Sequence, residues 1–167
     1  MLGSARPEGD TGRAVASLRG LIEIGSDVSD LSAIDIAPFD YGHAARGDGF
    51  DALVEQMIAA RAILFATPVY WYAMSGRMKT LFDRFTDLLS DRDRARRARA
   101  LAGRDIWMLA VGVDPDLPPG FDVPFRMTAG YLGLIWRGSA YVARDANETL
   151  RRSVLAGMAA AVDASLA

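Results

Sequence analysis

The chain contains no cysteine, which excludes disulfides, thiolate catalysis and cysteine-ligated clusters. It has a single histidine, His43, so a histidine-rich metal site or a Ser–His–Asp relay would have to rest on that one residue. No apolar run approaches the roughly 20 residues needed to cross a bilayer. The opening Met1-Leu2-Gly3-Ser4 lacks the basic and apolar regions of a signal peptide, which leaves the cytoplasm as the default compartment. An excess of positive charge is also missing. The net charge is −2 and the pI about 5.4, so no overall basic field is present to hold nucleic acid or an anionic membrane.

What is present suits one globular domain spanning residues 1–167. Hydrophobic residues make up 51% and charged residues 24%, a balance that argues against disorder. There are no repeats, and no Gly/Ser-rich or Pro-rich linker divides the chain. Short apolar runs alternate with helical periods. Asp10 or Thr11 can cap a helix carrying Val15, Leu18 and Ile22 and stopping near Gly25. Ser32–Ile36 reads as a short strand with Asp35 inside it. Phe50, Leu53, Val54, Met57 and Ile58 have helical spacing, as do Met78, Leu81, Phe82, Phe85 and Leu89. Ala62–Thr67, closed by Pro68, and Ile106–Gly112 are unbroken apolar runs. Ile135–Val142 is a mixed strand, and Asn147 can open a last helix through Leu150, Val154, Met158 and Val162.

Strands separated by helices require parallel crossovers, hence an α/β sheet with helices on both faces. Runs apolar throughout belong inside such a sheet, and runs interrupted by Asp35 or Arg137 belong nearer its edges. Ligands bind such sheets beyond the carboxyl ends of the strands. Two loops there have unusual composition. Gly3–Thr11 combines glycines, the hydroxyls of Ser4 and Thr11, and Arg6 ahead of a helix start, where free N–H groups and the dipole favour an anion. A plain surface turn with a capping residue explains the same composition. It lacks the Gly-Lys-Ser/Thr ending of a nucleoside-triphosphate loop. Thr67–Gly76 places Tyr70, Trp71 and Tyr72 in succession. Three consecutive aromatics cannot all enter one core, so some are exposed or cover a planar ligand; the alternative is a loop pinned to the core by Trp71 and one tyrosine. Ser75 and Gly76 form a second helix start.

Taken together, these segments resemble the NAD(P)H-dependent FMN reductase family of the flavodoxin-like superfamily. Its second loop pattern stands complete as Thr67-Pro68-Val69-Tyr70, Ser75-Gly76 and Met78-Lys79, followed by Phe82-Asp83-Arg84. The resemblance implies a doubly wound parallel sheet of strand order 2-1-3-4-5. It implies FMN as cofactor and NADH or NADPH as electron donor. Ser4, Arg6 and Thr11, with Asp10 beside them, would hold the FMN phosphate. Pro68, Val69, Tyr70, Trp71, Ser75 and Gly76 would line the isoalloxazine ring, which Gly112 and Asp114 would edge. Three features depart from the family pattern. Asp10 stands where asparagine is usual, and a capping role would turn its carboxylate away from the phosphate. The loop Gly112–Phe121 carries Val-Asp-Pro-Asp-Leu-Pro-Pro. Only Met1 and Leu2 precede the phosphate loop, so the first strand is truncated here; the expectation is that upstream residues complete it, with Met1-Leu2 as its tail.

The implied activity is hydride transfer from NADH or NADPH to flavin N5, with electrons passed on to a quinone, an azo or nitro compound, or free flavin. Because the flavin carries the redox chemistry, no residue is assigned as catalytic and no metal is expected. Two alternatives remain open: a non-catalytic electron carrier, and a flavodoxin-like domain that has lost FMN. The resemblance also implies homodimers or homotetramers. The six arginines between Arg92 and Arg104 read as a solvated helix end and loop, or as a partner or NADPH-phosphate surface. His43 reads as a surface loop residue. Asp83 and Arg84 read as a charge pair or subunit contact.

Overall fold

The computed structural model describes residues 1–42, 47–90 and 92–167. The expectation about His43 lies outside them. Helix α1 (Asp10–Arg19) buries Ala14, Val15 and Leu18. It stops short of Gly25 because the N–H groups of Leu21 and Ile22 both close back on the Leu18 carbonyl. Strand β1 (Ala62–Tyr70) follows α2 (Gly49–Ala59) and turns into a two-residue strand β2 (Ala73–Met74). Then come α3 (Gly76–Arg84), a 3-10 turn (Phe85–Leu89), α4 (Arg92–Leu101) and β3 (Asp105–Gly112). The chain finishes with α5 (Val123–Leu132), β4 (Ile135–Ala143) and α6 (Glu148–Leu166).

Among the described residues the sheet has four strands in the order β2-β1-β3-β4. β1, β3 and β4 are parallel, and β2 folds back antiparallel on the end of β1. β3 is buried at every position, as its unbroken apolar run requires. Its residues alternate between two cores. Ile106, Met108 and Ala110 face α2, α3 and α5; Trp107, Leu109 and Val111 face α1 and α6. β4 lies at the edge, as expected. Asn147 caps α6 by accepting the Leu150 N–H at 2.8 Å.

The five-strand order is not reproduced. Ser32–Ile36 is not a strand: the Asp30 carboxylate accepts from the N–H and hydroxyl of Ser32, and the Ala33 N–H bonds the Asp30 carbonyl. That local turn breaks the ladder. What remains of the first two strands is Leu2, bridged on one side to Asp30 and on the other to Ala66. α5 had no counterpart among the sequence expectations. The arginine-rich stretch is mostly helix rather than loop; Arg92, Arg96 and Arg99 are exposed, and the other three are engaged. Arg94 is buried against Asp87, Arg97 bridges Asp51 and Glu55, and Arg104 donates to the Ile58 carbonyl. Asp83 pairs with Lys79, not Arg84. Arg84 is itself buried, donating to Asp48, Asp87 and the Ala37 carbonyl beneath the Phe50 ring.

Candidate cofactor site

β1 does not end at Pro68 but runs on through Tyr70. A proline inside a sheet removes a ladder donor. The Ala66 N–H donates to the Met1 carbonyl and the Gly3 N–H to the Ala66 carbonyl, so the next bond in that ladder would run from residue 68 to the Gly3 carbonyl. Pro68 cannot supply it. The Ser75 hydroxyl does, donating to the Gly3 carbonyl. The same hydroxyl accepts the Met78 N–H and caps α3, while the Ser75 N–H donates to the Thr67 hydroxyl at 3.0 Å. Ser75 therefore locks the two loops together. Gly3 is required there: a Cβ would lie 2.9 Å from Met78 and 3.3 Å from the Ser75 hydroxyl.

In the first loop the Ser4 hydroxyl accepts the Arg6 N–H and donates to its carbonyl, and the Gly9 N–H returns to that carbonyl at 3.0 Å. The loop passes so close to α1 that a Cβ on Gly12 would sit 1.5 Å from the Pro7 carbonyl oxygen. The residue capping α1 is Gly9, and no side chain caps that end. The expected capping role of Asp10 is thus corrected. Asp10 is the first helical residue, and its carboxylate pairs with Arg13 at 2.5 Å, which draws it to the helix surface. An uncapped helix start leaves first-turn N–H groups for an anion. Thr11 is buried in that turn and Arg6 is exposed above it.

In the second loop Trp71 and Tyr72 form a two-residue hairpin turn with φ of 49° and 63°. Such a turn favours Gly or Asn at both central positions, and bulky residues there carry strain of the kind found at binding sites. Trp71 is 94% exposed, Tyr72 71% and Tyr70 49%; Trp71 does not pin the loop to the core. Pro68 is buried, Val69 half-buried and Gly76 exposed. The third loop lies alongside. Pro68 is in register with Val111, and a Cβ on Gly112 would lie 3.1 Å from Val69 Cβ and 2.7 Å from the Tyr141 hydroxyl. Tyr141, which the sequence reading did not single out, donates to the Asp114 carbonyl at 2.7 Å. Burial and the nearby carboxylates of Asp114 and Asp116 raise its pKa, so the phenol keeps its proton and holds the loop. No cluster of three metal-ligating side chains occurs among the described residues.

The structure is thus an α/β sheet of four strands with helices on both faces and three loops gathered at the carboxyl ends of its parallel strands, where open sheets of this kind bind ligands. A family model, NADPH-dependent FMN reductase, matches residues 1–117, and the chain belongs to that family. YwqN of Bacillus subtilis (strain 168), named as an NAD(P)H-dependent FMN-containing oxidoreductase, is 28% identical over 115 residues. The match covers 65% of this chain and 62% of that protein. An NADH:FMN oxidoreductase, EMOB, solved in apo form, superposes with a TM-score of 0.72 at 19% identity, covering 99% of this chain and 87% of that one. A flavodoxin, WrbA-like protein from Agrobacterium tumefaciens gives a TM-score of 0.61 at 16% identity, covering 95% and 90%. These likenesses establish a flavodoxin-like fold.

Proposed function

We propose that the chain is an FMN-dependent NAD(P)H oxidoreductase that reduces a quinone, an azo or nitro compound, or free flavin. The observation that carries this reading is one juxtaposition. The uncapped start of α1 with Arg6, and the exposed Tyr70–Tyr72 corner, stand on the same sheet edge and are bolted together by Ser75 and Gly3. The donor set fits FMN, with free helix N–H groups and a guanidinium for a phosphate and an aromatic corner for a planar ring.

FMN, when bound, supplies the redox chemistry by taking two electrons from NADH or NADPH and yielding them to the acceptor. The chain's own residues bind and orient it. Arg6 and the first-turn N–H groups of α1 would hold the phosphate. Ser4 shapes the loop from within, since its hydroxyl is engaged with Arg6. Trp71 and Tyr70 would cover the ring, and the missing Cβ of Gly112 makes room for Val69 and Tyr141 at the strand end. Tyr141 fixes the third loop at Asp114, which would edge the ring. Ser75 acts by holding the loops in register, because its buried hydroxyl both donates and accepts within the chain. The exposed α5 stripe of Val123, Met127 and Tyr131 supports self-association as a homodimer or homotetramer. Among the described residues no helix is long and apolar enough to cross a membrane.

Steady-state oxidation of NADH and NADPH by FMN-reconstituted protein, with each acceptor class in turn, tests the proposal. Turnover that needs both bound FMN and an acceptor is expected. FMN-loaded protein that oxidises neither nicotinamide, yet exchanges single electrons with a protein partner, would make it a carrier.

A further inference from the structure

At the carboxyl edge, the second and third loops carry charge of one sign. The segment Thr67–Gly76 has no charged side chain, and Gly112–Phe121 has Asp114 and Asp116 and no cation. Neither carboxylate has an ion-pair partner among the described residues, and the contact between Asp114 and Tyr141 is made by the Asp114 carbonyl. The cations that follow these loops along the chain are committed elsewhere. Arg77 donates to the Leu31 carbonyl at 3.3 Å, Arg126 pairs with Asp122 and Arg144 with Asp145. Burial, and then the fields of Asp114 and Asp116, push the Tyr141 phenol up, so both carboxylates stand near it. That phenol adjoins Gly112, and Gly112 adjoins Val69, whose pairing with Met74 closes the hairpin that carries Trp71 and Tyr72. The unpaired carboxylates and the exposed aromatic turn thus flank one strand end.

An aromatic face attracts a cation through its quadrupole, and a nearby carboxylate adds to that attraction. The same two features repel an anion. We propose that the acceptor reduced at this edge is a planar aromatic compound carrying a fixed positive charge, held by the Tyr72 ring and by the carboxylates of Asp114 and Asp116. This assignment rests on the FMN oxidoreductase reading and names the acceptor class of that same site. A cationic azo compound or quinone fits it. Sulfonated dyes, and free FMN with its anionic phosphate, are turned away. For the azo compound, NADPH or NADH gives up a hydride and solvent gives a proton. The N=N group takes both, so its π bond breaks, two N–H bonds form, and the nicotinamide is oxidised.

The probes are three azobenzenes that differ in one para substituent: trimethylammoniomethyl, methyl or sulfomethyl. The methylene insulates the azo group from either charge. Isothermal titration calorimetry of oxidised, FMN-loaded protein, with no nicotinamide present, gives their affinities. The cationic probe should bind about tenfold more tightly than the sulfonate, with the neutral probe between them, and added salt should narrow the spread. Asp116→Asn should weaken the cationic probe about threefold and leave the neutral one unmoved. Tyr72→Asn, which suits the positive φ of the turn, should narrow the cationic preference as well. Steady-state turnover of the neutral probe with NADPH or NADH checks the underlying reading separately. Where that probe is turned over, equal affinity for all three, or a cationic preference that survives both substitutions, overturns the charge selection alone. Failure to turn over any of the three overturns the oxidoreductase reading and the acceptor assignment with it.

Discussion

Gly12→Ala puts the first loop to the severest test. The new Cβ would stand 1.5 Å from the Pro7 carbonyl oxygen and 2.6 Å from its carbon. Non-bonded contacts of this kind do not fall below 3.0 Å, so loop and helix must part by about 1.5 Å. The obstacle is backbone, so no side-chain rotation relieves it. Forced overpacking of this sort costs about 1–3 kcal/mol. Pro7 follows Arg6, whose carbonyl and N–H are tied to Ser4 and Gly9, so the displacement carries the phosphate-binding atoms with it. Misplacing even one charge-assisted contact worth about 1.5–3 kcal/mol weakens FMN roughly tenfold to a hundredfold. Equilibrium quenching of FMN fluorescence measures the affinity, and urea unfolding of the apoprotein measures the stability. Gly157→Ala serves as control, since open space surrounds that position in α6; it should leave FMN affinity unchanged and add about 0.5–1 kcal/mol of stability. Wild-type FMN affinity and stability in Gly12→Ala would refute the reasoning.

Three further outcomes are expected. Arg6→Ala should weaken FMN by roughly tenfold to a hundredfold without moving the unfolding midpoint of the apoprotein, because Arg6 is exposed; isothermal titration calorimetry and a urea melt check both parts. In a Trp107→Phe/Trp136→Phe variant, whose remaining tryptophan is Trp71, saturating FMN should quench the fluorescence strongly, and an unquenched signal would place the ring elsewhere. Asp48→Asn keeps the cap on the Phe50 N–H but removes one of the two carboxylates facing buried Arg84, Asp87 being the other, at a cost of about 1.5–3 kcal/mol. Burial pushes the Asp48 carboxyl up, but hydrogen bonds from Arg84 and from the Phe50 and Ala37 N–H groups outweigh it and leave the pKa lowered. The contribution of Asp48 is therefore complete above its unfolded pKa of about 3.9 and is lost as pH falls through the lower folded value. Acid unfolding curves of the asparagine variant should lack that component.

The parts of the fold legible in the sequence were those where one physical requirement dominates. Ile106–Gly112 is apolar throughout because both its faces are covered, and Asn147 announces α6 because its cap is local. Elements decided by competition between neighbours were not legible. Asp30 captures Ser32 and turns a strand-like run into a bend. α5 buries only Phe125, Ala129 and Leu132 and leaves Met127 and Tyr131 exposed, which blurs its helical stripe. At the carboxyl edge, the unusual composition of both loops marked two segments that the fold brings together through Ser75 and Gly3. The division of labour within them was hidden. Ser75 looked like a ligand donor, but the donor missing at Pro68 makes it a brace, a role visible only once Gly3 and Pro68 are seen side by side. Asp10 looked like a cap, but Gly9 holds that position and Arg13 takes the carboxylate. Tyr141 lies far along the chain from Asp114, and no local pattern marks such a contact.

In the proposed function, the loops at the carboxyl edge hold one FMN that a reduced nicotinamide can reduce. The most direct test is the visible spectrum of protein reconstituted with FMN, freed of excess by desalting and titrated anaerobically with NADPH and, separately, NADH. One FMN should be retained per chain, and at least one nicotinamide should bleach its absorbance. A desalted protein that retains no flavin, or bound flavin that neither nicotinamide bleaches, would contradict it.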